Sequence, residues 1–133
     1  MAKILIKADS KFPINRKRIR LLVERVLVDK SIGSHAIVSI FVVGNRKMQS
    51  LHEGYKHEPG PTDVLSFPYS TMDKTTTTPG FITPDEAGLM LGDIVVSFPE
   101  ARKQAMQKNK LVDDQIDFLI EHGLHHLLGI HHD

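Results

Sequence analysis

The chain has 133 residues, 41% hydrophobic and 25% charged, which is the make-up of one globular domain and excludes a disordered, collagenous or coiled-coil segment. Its net charge of +1 means that a nucleic-acid partner would be held by a local patch and not by the whole surface. It has no cysteine, which removes disulfides, thiolate nucleophiles and cysteine-bound zinc.

The opening "MAKILIKADS" interrupts its short apolar run with lysines, so it lacks the apolar core of a signal peptide and reads as a strand over residues 3–7. No stretch approaches transmembrane length, and a soluble cytoplasmic protein is the expectation. "INRKRIRLLVERVLVDK" sets Ile19, Leu22, Val23, Val26 and Leu27 at helical spacing, with Arg16, Lys17, Arg18 and Arg20 on the polar face. "AIVSIFVVG" is apolar and β-branched enough for a well-buried strand. "NRKMQSLHEGY" predicts a short helix capped by Asn45. "TDVLSFPY" and "LMLGDIVVS" predict two further strands. Residues 70–88 between them are polar and threonine-rich without an apolar period, and predict a mobile loop, since connections this long are usually functional or disordered. "SFPEARKQAMQK" opens on Ser97 and Glu100 at capping-box spacing, with Pro99 early in the helix. "LVDDQIDFLIEHGLHHLLG" is the last helix, closed by Gly129. With no repeat and no second domain visible, residues 1–133 are expected to form a single α+β domain: a mixed sheet of about four strands with helices packed on it.

Five of the eight histidines fall between His122 and His132. Residues four apart share one face of a helix, so His122 and His126 project side by side and can bind one metal ion. A left-handed glycine at 129 turns the chain sharply, and His132 can then swing back toward the pair. The resulting H-x-x-x-H-x-x-G-x-x-H, three histidines and an open fourth position, is the ligand set of a catalytic zinc site at the C-terminal helix. Neutral imidazole also suits nickel, copper or iron. His125 points about 100° away from His126, and reads as a surface or outer residue. His131 lies one position from the third ligand and competes with His132 for that role. The metzincin protease signature shares this spacing but needs a glutamate directly after the first histidine to act as base. That position is Gly123, and Glu121 leaves from a different side of the helix.

Three separated stretches carry a resemblance: "HGLHHLLGIHH" from His122 to His132, "LHEGYKHEPGPTDVLSFP" from Leu51 to Pro68, and "GDIVV" from Gly92 to Val96. In this order they resemble the YbeY family of bacterial metal-dependent endoribonucleases, or rRNA maturation factors. The resemblance implies hydrolytic cleavage of single-stranded RNA, with zinc as cofactor, in ribosomal RNA maturation and ribosome quality control. The implied partner is ribosomal RNA or the small ribosomal subunit, with neither DNA nor membrane. The chain departs from the family pattern at Lys56, where the family has arginine, at His131, where it has aspartate, and at His125, where it has leucine. Lys56 is the candidate catalytic cation, steadying charge on phosphorus as a point charge where arginine would grip with two bonds. The basic run at 16–20 reads either as an RNA groove or as a solvated helix face. Asp63 and Ser66 sit in the second motif and are left out of the catalytic set. Two other readings of the chain stay open: a metzincin-like peptidase, and a non-enzymatic RNA-binding ribosome assembly factor stabilised by its metal.

Overall fold

The computed structural model describes residues 2–32, 36–56, 62–68 and 89–129, with backbone alone at 52–56 and 89. Its elements run β1 (Lys3–Ala8), α1 (Arg16–Asp29), β2 (Ala36–Val43), α2 (Asn45–Lys56), β3 (Val64–Pro68), β4 (Leu89–Ser97), α3 (Phe98–Lys108) and α4 (Val112–Leu127). The strands form one sheet in the order β1-β2-β4-β3. β1 and β4 each run parallel to β2, and β3 is antiparallel to β4. This is the mixed four-stranded α+β sheet expected from the sequence.

The alternation of β2 explains the two layers around the sheet. Ala36, Val38, Ile40 and Val42 face the main core with Ile4, Ile6, Ile94 and Val96. All five apolar residues of the α1 stripe are buried against them, as are Phe98 and Ala101 of α3 and Ile116, Leu119, Ile120 and Leu124 of α4. Each such aliphatic side chain contributes about 1.5–3 kcal/mol on burial. The alternate residues point the other way, where a smaller cluster of Val43, Leu65 and Val95 packs under Met48 of α2.

Local chemistry sets the boundaries. Asn15 caps α1 by accepting from the Arg18 N–H at 3.0 Å. Ser97 caps α3 in the same way through the Glu100 N–H at 3.2 Å. The expected cap at Asn45 is displaced by one residue: the Gly44 carbonyl accepts the first helical bond, from the Met48 N–H at 3.0 Å, so Asn45 already lies inside α2. Its side chain instead accepts from the Ser97 hydroxyl at 2.9 Å and links the starts of α2 and α3. β4 carries a bulge, since Ile37 and Val38 face Met90 and Gly92 and skip Leu91. Gly92 adopts φ +137, a backbone that side-chain-bearing residues avoid. The loop expected at 70–88 lies outside the described residues.

Candidate metal centre and its surroundings

His122 and His126 leave the last two turns of α4 on one exposed stripe. Their Nε2 atoms approach to 3.1 Å and their ring centroids to 4.7 Å, with the ring planes 66° apart. At that separation one Nε2–H donates to the other ring's lone pair, so the two donor atoms point at one small volume. An ion between them would meet two neutral nitrogens, the donor chemistry of zinc and other divalent transition metals, and the residues present therefore fit such an ion. Among the described residues no cluster of three or more histidine, cysteine or acidic side chains forms. The third expected ligand, His132, and its competitor, His131, lie outside the described residues. Gly129, which was expected to turn the chain toward them, does adopt φ +78 just after the helix. Lys56 is the last residue of α2, and its side chain lies outside the described set.

The helix that carries the pair is seated through a glycine. A Cβ on Gly123 would lie 2.9 Å from Cγ2 of Ile94 and 3.3 Å from its Cγ1. The position after the first histidine therefore faces the sheet, and a glutamate side chain there would collide with Ile94. The glutamate of the metzincin signature has no counterpart at this position.

Behind the pair runs a polar relay that the sequence reading missed. Gln115 is fully buried on the core-facing side of α4, two turns before His122. Its Nε2 donates to Gln104 Oε1 at 2.6 Å, and Gln104 Nε2 donates to Asp63 Oδ2 at 3.0 Å. The Asp63 carbonyl accepts from the Ser97 N–H at 2.9 Å. The role of Asp63 is thus structural, because it fixes the entry to β3 against α3 and α4. The signal available in the sequence was one glutamine within an otherwise apolar stripe.

Two of the four cations in the basic run are already engaged. Arg16 Nη1 donates to the Ile6 carbonyl at 2.6 Å, and Arg18 pairs with Asp117 at 2.6 Å and with Asp114. These bonds tie α1 to β1 and α4. Asp117 is held above the usual carboxylate range by burial, against the opposing pull of Arg18. Lys17 and Arg20 remain exposed. Half of the run is thus a structural clasp and half is solvent-exposed.

A family profile described as endoribonuclease YbeY matches residues 5–133. The chain belongs to the YbeY family. Similar curated relatives, each named endoribonuclease YbeY, include that of Thermobifida fusca, 37% identical over 93% of this chain and 77% of the relative. That of Acidothermus cellulolyticus is 37% identical over 96% and 77%, and that of Bacillus cereus is 34% identical over 86% and 71%. The solution structure of TM1509 from Thermotoga maritima shares the fold, with a TM-score of 0.57 and 23% identity over 98% of this chain and 75% of that one. Among the described residues, no helix is long and apolar enough to cross a membrane.

Proposed function

We propose that this YbeY-family chain is a metal-dependent endoribonuclease that cleaves single-stranded RNA, with ribosomal RNA as its substrate in ribosome maturation and quality control in the cytoplasm. The observation that carries the metal is the 3.1 Å approach of the His122 and His126 Nε2 atoms on an exposed helix end. His122, His126 and His132 would hold one ion, zinc by preference. When bound, that ion supplies Lewis-acid stabilisation of charge on a phosphoryl oxygen. Lys56 would add a second positive charge beside the scissile phosphate. The buried relay from Gln115 through Gln104 to Asp63 keeps the start of β3 in register with the histidine helix. Membership of a family whose named relatives are endoribonucleases supports the reaction class, and Gly123 packed on Ile94 disfavours proteolysis.

The test is incubation of the purified chain with single-stranded RNA and with casein, each with and without chelator. RNA cleavage that chelator abolishes, with casein intact, is the expected result. RNA binding without cleavage under every metal tried would instead favour the assembly factor. Lys56→Ala should lower RNA cleavage at least tenfold while metal content and melting temperature stay near those of the parent. Lys56→Arg should retain activity, because guanidinium can grip phosphate with two bonds.

A further inference from the structure

Among the described residues, α2 is the helix that packs on the sheet face opposite the histidine helix, and the strand registers show what that face presents. Ile94 meets α4, so its neighbours Asp93 and Val95 point to the other side. One row across the four strands reads Leu5, Ser39, Asp93, Phe67. The next reads Lys7, Phe41, Val95, Leu65. Leu5 at the β1 end is 45% exposed, although it sits in mid-strand. Phe41, Phe67, Asp93 and Lys47 line a groove of about 230 Å³ together with Val43, Leu51 and Val95. This is smaller than the roughly 300 Å³ at which pockets for drug-sized ligands begin, and it suits one planar ring system.

The chemistry of the groove is unusual for a packing defect. Asp93 is an acid in mid-strand, delivered there by the bulge at Gly92, and its carboxylate is engaged by Ser39. Two partly exposed phenylalanines lie on adjacent rows beside it. Lysines stand on two sides, Lys7 on β1 and Lys47 on α2, both exposed. An open sheet face with aromatic rings and basic margins is how several RNA-binding folds take unpaired bases.

We propose that this face binds an unpaired base of the RNA substrate: Phe41 and Phe67 stack on it, Asp93 reads its edge, and Lys7 and Lys47 meet the flanking phosphates. A carboxylate only accepts hydrogen bonds, so it favours an edge with adjacent donors. Guanine offers such a pair at N1–H and N2–H, whereas uracil offers one donor flanked by acceptors. The subsite therefore selects guanine. It lies on the side of the β3–β4 half of the sheet opposite to the one that α4 packs against. The proposal rests on the RNA-cleaving reading above and adds to it a base preference and a second contact surface.

Fluorescence anisotropy with labelled single-stranded 12-mers tests it on the full chain, in chelator to suppress cleavage. One oligomer is uracil only and the other carries guanines. The parent should bind the guanine oligomer about tenfold more tightly. Phe41→Leu and Phe67→Leu keep apolar volume but remove the ring, and each should weaken guanine-oligomer binding by about tenfold or more, the scale of one base stack. Asp93→Asn should erase the guanine preference, so that the two oligomers bind within about twofold of each other. Melting curves identify any variant that has lost its fold, and only folded variants are compared. Folded leucine variants that bind both oligomers like the parent would overturn the proposal. So would a guanine preference that survives Asp93→Asn, or self-association of the chain that is lost in Phe41→Leu with RNA affinity unchanged. A parent that cleaves RNA without base preference sinks this subsite alone, whereas a parent that neither binds nor cleaves RNA sinks the RNA reading with it.

Discussion

Gly123 shows how one residue serves packing and chemistry together. It lets α4 lie close enough to β4 that Ile94 fills the space where a Cβ would stand, at 2.9 Å. Gly123→Ala should therefore destabilise the fold by about 1–3 kcal/mol, the usual cost of overpacking, despite alanine's better helix propensity. Ile94→Ala removes both crowding atoms, Cγ2 and Cγ1, so the double variant should lose less than the sum of the two single losses, and urea denaturation of the two single variants and the double variant measures the coupling. Asp93 makes a second residue-level case. Burial holds its carboxyl above the ordinary 3.8, and the Ser39 hydrogen bond opposes this only in part. The folded state thus binds the proton more tightly than the unfolded chain, and Asp93's contribution to stability falls as pH rises through its folded pKa. Asp93→Asn should raise the melting temperature at pH 7 and flatten this part of the slope between pH 7 and pH 4. An unchanged slope in melts across that range would show that Asp93 is better solvated than its strand position implies. The histidine pair was readable from spacing alone, because four residues on a helix is a fixed geometric interval. The settings of Gly123 and Asp93 were not, because each is defined by a partner far away in sequence.

At the scale of elements, period, caps and composition located the strands and helices among the described residues to within two residues, since burial of one face leaves a periodic trace. Polar contacts between elements leave none. Asn45 reads locally as a cap, yet its side chain accepts from Ser97, 52 residues on. Gln115, Gln104 and Asp63 lie on three different segments and join only in the fold. The arginines at 16 and 18 look like an open basic stripe until β1 and α4 are in place beside them. Ser97 stands where these connections meet: it caps α3, its hydroxyl donates to Asn45, and its N–H holds the Asp63 carbonyl. Ser97→Ala should cost about 1–2 kcal/mol for the lost cap, since the exposed Asn45 oxygen can turn to water instead. Ser97→Thr should keep much of the stability, since threonine also caps. Equal loss in the two variants under chemical denaturation would mean that shape at this fully buried position matters more than the hydroxyl.

For the molecule as a whole, the mixed sheet places two distinct surfaces back to back: the histidine helix on the main core, and the aromatic face beyond α2. The four-stranded α+β architecture followed from element order and periodicity, whereas the placement of α2 on the sheet did not, because helix length says nothing about which strands a helix covers. The ion, if bound as proposed, joins the end of α4 to the chain beyond Gly129, and so acts on global stability as well as on chemistry. A ligand that binds only the folded state stabilises it by about 2.7 kcal/mol at a hundredfold excess over its Kd. For a domain of this size that corresponds to a rise in melting temperature on the order of 10 °C. Zinc added to metal-stripped protein should produce such a rise, and chelator should reverse it. His122→Ala and His126→Ala should abolish the shift, because each removes a nitrogen from the pair that is 3.1 Å apart. His125→Ala should keep it, since helix geometry turns that ring about 100° away. The last two histidines decide the register: loss of the shift in His132→Ala with its survival in His131→Ala supports the glycine-turned ligand set, and the reverse pattern would move the third ligand to His131. A parent protein whose melting temperature does not respond to zinc, nickel or manganese would remove the metal from the proposed chemistry altogether.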